Sequence, residues 1–566
     1  MPVSLSRLIR SEGQIRALLS YLVLLIVPPL LMLLVIATKF HGLQSPAALD
    51  QVQLARHLSA GDGFTTSVIR PLSLVFKADL EHHPDLYNPP GHPLVLMVFF
   101  QLLHPGDRVT AGVGAILWTL TVWLTFAVAR VWFRPRVAVV AALFWAANLA
   151  GLTAAIEGLP NPLMAIGVTF AVWLAFPNLR DTVEATVNEM KWWRIFLVGL
   201  ACAAAFLTHF ALAVVALVLG SVLVASQKPR WRTLVLFAVG FLLPVVPWWL
   251  RNYYAGTAAF GLSWYDILTG TASYPGDSVW RTMALPPAPL QFLAMHPLQI
   301  ARKLVSGLGV FRAETFRVLD PVVVFLFAAG VIAAGVAGDR RRASGVVSAS
   351  LILGVVGSCL LRPEPALLLA WGPLLAILSA AQLDNWLQQR VKRVVFEGVK
   401  LPQSKVAIRR HEPHRRAFGP RAIAAPWIRL AVYSLVVVLV VFPLIGFMTI
   451  SRSSPGSQTK AWAGALAELL PRRTPVMTDQ PAAVAWYTQR PAVLLCQREE
   501  ELAQFERVVG PIDALVVTSA IGQLPAQERG DWWQWIAAPR GVYRGLAPAA
   551  QMPPNTLLRV RPKESS

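Results

Sequence analysis

The sequence predicts a polytopic α-helical membrane protein with about eleven spans and a small α/β domain at its C-terminal end. The first observation is composition: 55% of the 566 residues are hydrophobic and only 14% are charged, whereas soluble domains carry about 25% charge. The second is that the apolar residues form long blocks, which must be helices because backbone groups in lipid pair internally. The third is that short basic stretches separate these blocks.

The apolar blocks predict where the chain crosses the membrane. The first block is long and has no small-residue cleavage site, so it is interpreted as a retained span rather than a signal peptide. The blocks that meet at Thr208 and His209 are short, and either two short spans or one long bent pair fits them. The predicted spans are about 18–38, 109–130, 137–155, 162–178, 195–208, 210–226, 233–248, 319–337, 343–361, 365–382 and 428–450.

The positive charge follows the pattern of a membrane protein rather than that of a nucleic-acid-binding protein. The formal net charge is +21, and a cytosolic N-terminus places every basic cluster on the cytosolic side of a plasma or inner membrane. The densest cluster lies in a predicted cytosolic loop, about 384–427, beside anionic lipid headgroups. The other clusters are Arg7, Arg10 and Arg16; Arg130, Arg134 and Arg136; Arg180, Lys191 and Arg194; Lys228, Arg230 and Arg232; and Arg340, Arg341 and Arg342.

An odd number of spans predicts that the C-terminus lies outside. Residues 1–450 then form the transmembrane domain, and the tail, 451–566, forms a soluble α/β domain on the outer face. The tail alternates extended and helical patterns, which is typical of a mostly parallel sheet. Two long segments of the transmembrane domain also lie outside: the first long loop, about 39–108, and the second long loop, about 249–318.

Asp50 is the first candidate for chemistry. It follows the first span directly and precedes a short amphipathic helix. A carboxylate at the membrane boundary is poorly solvated, which favours a role as a general base. An ordinary helix N-cap is the other interpretation, and the residues alone leave both open.

The segment Tyr87–Pro93, with the sequence YNPPGHP, is rigid and leads into an apolar helix. Two prolines fix φ and Gly91 permits a tight bend. Such a segment can frame a cavity that opens to the bilayer, with Tyr87 and His92 in contact with substrate. The alternative is a plain turn from loop to helix.

Five motifs in order resemble the GT-C superfamily. They are D-x4-AR-x-L-x2-GDGF from Asp50, Y-x-PPGHP from Tyr87, and then LPNPL, PWWLRNYYAGTAAFG and VMTDQPAAVAWYTQRPAVLL. Within the superfamily they look like the bacterial protein-mannosyltransferase-like branch, glycosyltransferase family 39 and its relatives, which include the lipid A aminoarabinose transferase. The resemblance runs from about residue 20 to about residue 500 and predicts a GT-C-like fold.

The resemblance implies an inverting glycosyltransferase. Its donor is a polyprenyl-phosphate-linked sugar, its acceptor is a lipid, glycan or protein at the outer face, and the acid of the first long loop, matched by Asp50, is the base. Cations would stabilise the leaving phosphate. The candidates for substrate binding are His83, His92, His209 and Arg251, although Arg251 can equally anchor a helix end at the headgroups.

Two departures from the family pattern leave other functions open. Many relatives have acids where this chain has Gln51 and Asn161, and Glu157 either replaces the missing acid or is a water-facing loop residue. A catalytically degenerate scaffold member is one alternative, and a transporter or flippase of a lipid-linked or anionic solute is another. No metal site is predicted, because no cluster has ligand spacing. The sequence neither requires a cofactor nor excludes a divalent metal.

Overall fold

The structure, a computed structural model, describes residues 5–177, 179, 190–332, 339–396, 420–449, 455–471, 474–532, 546–552 and 556–560. Helices form most of the region up to residue 450. A 3₁₀ helix, Pro365–Trp371, precedes the sixteenth α-helix. The α-helices of this region are α1 Leu5–Lys39, α2 Pro46–Ala60, α3 Pro71–Phe76, α4 Gly91–Leu103, α5 Asp107–Trp132, α6 Pro135–Ala146, α7 Leu149–Ile156, α8 Asn161–Ala175, α9 Trp192–Thr208, α10 Ala213–Ser226, α11 Arg230–Tyr254, α12 Pro289–Met295, α13 Pro297–Val318, α14 Pro321–Ile332, α15 Asp339–Leu360, α16 Gly372–Phe396 and α17 Pro420–Thr449.

Where its residues are described, each predicted span overlaps helical structure, and the chain is a multi-pass membrane protein. Within the described ranges, six helices are long and apolar enough to cross a membrane, or up to eight if each of two bent pairs is one span. Helices α8, α9 and α10 are apolar but shorter. The number eleven therefore stays a prediction.

The bends have identifiable causes. Helices α6 and α7 meet at 57°, because α6 ends at Ala146 and Asn148 caps the start of α7, where its side chain accepts a hydrogen bond from Gly151 N. Helices α13 and α14 meet at 113°, where Pro321 starts a new helix. His209 separates α9 from α10 with an extended backbone, and its ring accepts a bond from Ala211 N.

Two facing glycines bring α9 and α11 into close contact. A Cβ atom at Gly199 would lie 2.3 Å from Phe237 O, and one at Gly240 would lie 2.2 Å from Phe196 O. No side chain fits at such distances, so the two backbones pack directly, as small residues allow between membrane helices.

The tail contributes five strands of a six-stranded sheet, and the first long loop contributes the sixth. The order is β1-β3-β2-β4-β6-β5. The first four strands in this order are parallel, whereas β6 is antiparallel to β4 and to β5. The strands are β1 Val68–Ile69, β2 Val476–Thr478, β3 Ala492–Leu494, β4 Ala514–Val517, β5 Ala547–Met552 and β6 Thr556–Val560.

Residues of the first long loop, which precede the second span in the chain, thus complete the tail sheet, because β1 pairs with β3. The division of the chain into two domains near residue 450 stays a prediction. Helices of the tail flank the sheet: α18 Pro455–Leu469, α19 Pro481–Thr488, α20 Glu500–Val509, α21 Ala520–Gln523 and α22 Ala526–Arg529.

The Trp-Tyr pair of α19 docks the tail onto the membrane helices. Trp486 Nε1 donates to Asp107 Oδ1 over 2.7 Å, and Tyr487 Oη donates to Leu43 O over 3.0 Å. From α2, the guanidinium of Arg56 donates to the carbonyls of Trp486 and Ala485 over 2.9 and 2.8 Å. The Trp-Tyr pair in the last of the five motifs is therefore explained by docking contacts, which hold the first long loop against the tail.

Candidate functional site

Asp50 lies inside α2 and is not its N-cap. The N-cap position belongs to Ser45, and Pro46 occupies the first turn. Because a proline at the first helical position presets φ, the helix begins five residues earlier than the amphipathic pattern suggested. The interpretation of Asp50 as a helix cap is therefore wrong.

The Asp50 carboxylate is buried in a polar cluster, and the residue is only 5% exposed. Its Oδ2 accepts hydrogen bonds from Arg70 Nη2 at 2.6 Å and from Asn88 Nδ2 at 3.0 Å. Among the described residues, Oδ1 accepts only from Gln53 Nε2, at 3.5 Å, and that amide also donates to Thr66 Oγ1 at 2.6 Å. Oδ1 is therefore the oxygen with free capacity to accept a proton.

A second carboxylate, that of Asp85, shares the amide of Asn88. Asn88 Nδ2 lies 3.0 Å from Asp85 Oδ2, and Asp85 is fully enclosed at 1% exposure. Burial raises the pKa of the Asp85 carboxyl, and the neighbouring charge of Asp50 raises it further. The two carboxylates therefore lie on one amide, and burial favours the neutral form of Asp85.

Arg251 joins the end of α11 to the first long loop. Its Nη1 donates to the backbone carbonyl of Asp85, and its Nη2 donates to Phe64 O at 3.0 Å. The guanidinium also lies over the rings of Phe64 and Trp248, at 5.2 and 5.0 Å. Arg251 thus lies beside the acidic cluster and fixes the loop that carries it.

The three candidate histidines occupy separate places and already have partners. His83 contacts Asp79 O through Nδ1 and Ser73 Oγ through Nε2, at 2.9 and 2.7 Å. Burial lowers the pKa of His83 to about 4, so its ring is neutral at pH 7. His92 Nδ1 lies 2.7 Å from Gln51 Oε1.

His209 lies at the junction of α9 and α10, away from these two histidines in the chain. Its Nε2 is 3.1 Å from Glu364 Oε2. Glu364 precedes the 3₁₀ helix that leads into α16. This pair therefore joins the ends of three helices, and a role in substrate binding stays a prediction.

Tyr87 contacts both long loops. Its hydroxyl donates to Asp266 Oδ2 at 3.0 Å, and its ring meets that of Trp280 edge-on, with centroids 4.9 Å apart. The guanidinium of Arg70, from the first long loop, lies over the Tyr87 ring, 4.2 Å from its centre. The rigid YNPPGHP segment therefore places this ring where the two loops meet.

Glu157 and Asn161 flank the turn between α7 and α8. Burial raises the pKa of the Glu157 carboxyl, and no described residue hydrogen bonds to it. Asn161 Nδ2 donates to Ala366 O at 2.9 Å, a bond that an ionised glutamate could not make because it has no donor. The departure at residue 161 therefore has a packing explanation.

Sequence reasoning missed Arg70 and did not single out Asp85 or Asn88. Arg70 follows β1 and shows no motif, so nothing in its neighbourhood marked it. Asp85 and Asn88 lie on either side of Tyr87. The polar residues before the two prolines were a weak sign that this segment carries functional side chains. Within the described ranges, no three His, Cys, Asp or Glu side chains come together as a metal site.

Comparison with known proteins adds a partial match to a family model and a fold. A family model described as dolichyl-phosphate-mannose-protein mannosyltransferase matches residues 87–250. ArnT from Cupriavidus metallidurans, bound to undecaprenyl phosphate, superposes with a TM-score of 0.55 at 16% identity over 97% of this chain and 98% of that chain. The chain has the GT-C fold.

Two further GT-C structures agree. The apo state of the same ArnT gives a TM-score of 0.53 at 15% identity over 97% of this chain and 98% of that chain. The archaeal oligosaccharyltransferase AglB from Archaeoglobus fulgidus, in complex with an inhibitory peptide and a dolichol-phosphate, gives 0.54 at 11% identity over 96% of this chain and 74% of that chain. No curated protein matches the chain. The resemblance predicted from the sequence is confirmed at the level of the fold.

Proposed function

We propose that this GT-C protein is an inverting glycosyltransferase that moves a sugar from a polyprenyl-phosphate-linked donor to a lipid, glycan or protein acceptor, with Asp50 as its general base. The observation that carries the proposal is the geometry of the buried Asp50 carboxylate: Oδ2 pairs with Arg70, whereas Oδ1 has only a long contact of 3.5 Å with Gln53 Nε2 among the described residues. The GT-C fold supports it, and the similar structures named above hold undecaprenyl phosphate and dolichol-phosphate.

The proposed reaction is a single displacement. Asp50 Oδ1 takes the proton of an acceptor hydroxyl while the hydroxyl oxygen forms a bond to the anomeric carbon. The bond from that carbon to the phosphate oxygen breaks, and polyprenyl phosphate leaves with the electron pair. Attack and departure on opposite faces invert the anomeric centre.

The leaving phosphate needs positive charge near the cluster. Arg251 is the strongest of the proposed substrate-binding residues, because its guanidinium is always charged and lies beside Asp85. Arg362 is a further cation. Its side chain is 50% exposed, and its Nη2 lies 3.0 Å from Asp277 Oδ2 in the second long loop. We also propose that four neutral or hydrogen-bonding side chains contact the sugar or the phosphate: those of Tyr87, His83, His92 and His209.

The deciding experiment is transfer of a radiolabelled sugar from a polyprenyl-phosphate donor by purified protein, with the glycosylated product identified. We expect a labelled product whose anomeric configuration is opposite to that of the donor. Retention of configuration would contradict the displacement. Absence of transfer to lipid, glycan and peptide acceptors alike would favour the scaffold alternative, for which Gln51 and Asn161 are the motivation.

The orientation in the membrane is a separate proposal: the N-terminus is cytosolic and the tail lies on the outer face of the plasma or inner membrane. Exposed Trp192, Trp193 and Trp231 lie at one end of α9 and α11, and exposed Tyr253 and Tyr254 lie at the other end of α11. Such aromatic residues concentrate at the two lipid–water boundaries.

Cysteine labelling tests this orientation. We expect an impermeant thiol reagent added to intact cells or spheroplasts to label Glu500→Cys in the tail and to leave Lys228→Cys, in a basic loop, unlabelled until the membrane is opened. The native Cys202, Cys359 and Cys496 are all buried, so the parent chain serves as the unlabelled control. Labelling of residue 228 in intact cells would invert the proposed topology.

A further inference from the structure

Asp266, in the second long loop, stands at the start of a series of contacts that reaches Asp50. Its carboxylate is buried and accepts three hydrogen bonds. Oδ2 accepts from Tyr87 Oη at 3.0 Å, while Oδ1 accepts from Trp280 Nε1 at 3.2 Å and from Thr269 Oγ1 at 3.3 Å. Three donors from two loops therefore fix the orientation of this one carboxylate.

The ring of Tyr87 continues the series to Arg70. Arg70 holds its guanidinium 4.2 Å from the ring centre, where the electron-rich face attracts a cation. The same guanidinium donates to Asp50 Oδ2 at 2.6 Å. A shift of the Tyr87 ring would therefore shift Arg70, and with it the oxygen that Arg70 holds.

We propose that Asp266 is a positioning residue that acts through Tyr87 and Arg70 to orient the carboxylate of Asp50 for proton transfer. The inference rests on the proposed function, in which Asp50 is the base. Its physical reason is that proton transfer depends steeply on geometry, so a misplacement of about 1 Å lowers the rate strongly.

Two variants separate the links of the series. Tyr87→Phe keeps the ring beside Arg70 and removes the hydroxyl, which donates to Asp266 and also interacts with the guanidinium of Arg362. In Asp266→Asn the amide oxygen must face Trp280 Nε1, which can only donate, so the amide nitrogen faces Tyr87 and reverses that bond. The control is Tyr265→Phe: Tyr265 neighbours Asp266, and its hydroxyl has no hydrogen-bond partner among the described residues.

We expect Tyr87→Phe to lower kcat about 10-fold and Asp266→Asn to lower it less, and we expect Asp266→Asn to keep the parent KM for the donor, because it disturbs geometry and not binding. Tyr265→Phe should retain the parent kcat. In the Asp50→Asn background, Tyr87→Phe should cause no further loss, because no base remains to be positioned. Unfolding midpoints in detergent identify any variant that loses activity through unfolding.

Several results would overturn the proposal. The first is that both variants keep the parent kcat. The second is that Tyr265→Phe loses as much kcat as Tyr87→Phe. The third is that Tyr87→Phe lowers kcat by the same factor in the Asp50→Asn background as in the parent protein. A higher KM with an unchanged kcat would instead assign Tyr87 to substrate binding. Failure of the proposed function looks different: Asp50→Asn alone would then transfer sugar at the parent rate.

Discussion

Replacing Asp50 by asparagine should lower the rate of sugar transfer about 10²–10⁴-fold, the usual contribution of a positioned general base. Asparagine has nearly the size of aspartate but does not take up a proton at neutral pH, so the acceptor hydroxyl would have to lose its proton unaided. The measurement is the initial rate of transfer from a polyprenyl-phosphate sugar, at donor concentrations that saturate the parent protein.

Asp62→Asn is the matched control, because Asp62 lies in the same loop and is exposed. It should retain the parent rate. Since Asp50 pairs with Arg70 and does not cap α2, Asp50→Asn is also expected to lower the unfolding midpoint somewhat, and the rate must be measured below that midpoint. If Asp50→Asn transfers sugar at nearly the parent rate, Glu157 becomes the leading carboxylate.

Replacing Arg70 by methionine should destabilise the protein by about 3–5 kcal/mol, the usual effect of removing one partner of a buried ion pair. Methionine has a similar length but no charge, so Asp50 and Asp85 would face each other across Asn88 without a cation between them. The face of the Tyr87 ring would also lose its cation. Thermal or denaturant unfolding of the purified protein in detergent measures this change.

The double variant Asp50→Asn/Arg70→Met makes the prediction specific. It removes both charges, so it should unfold at a higher temperature than Arg70→Met alone. Arg108→Met is the control, because Arg108 is exposed at the start of α5 and its loss should leave the midpoint nearly unchanged. A midpoint of Arg70→Met equal to that of the control would show that the pair contributes nothing to stability.

The elements of the tail show how much of the fold was predictable. Strands β2, β3 and β4 are short buried runs between helical patterns, and the alternation alone predicted a mostly parallel sheet. Strand β1 has only two residues, too few to show any periodicity. Its membership of the sheet depends on the docking of the first long loop beneath α19, and no local pattern encodes that docking.

The candidate site divides in the same way. Asp50 and Tyr87 were found because motifs surround them, and the structure places both in one network. Arg70 was not found, because its role comes from two contacts with residues distant from it in the chain. The histidines were chosen for their charge when protonated, whereas burial keeps His83 neutral.

The sequence by itself determined that this protein crosses the membrane many times, where its helices lie, and that it resembles GT-C glycosyltransferases. These properties follow from local composition, because lipid requires long apolar helices and turns require particular residues. Only the tertiary structure decided that Asp50 lies within α2, that Arg70 pairs with it, and that Asp266 reaches it through Tyr87. A buried polar group must find its partners in three dimensions, and those partners come from segments whose approach depends on the packing of the whole chain.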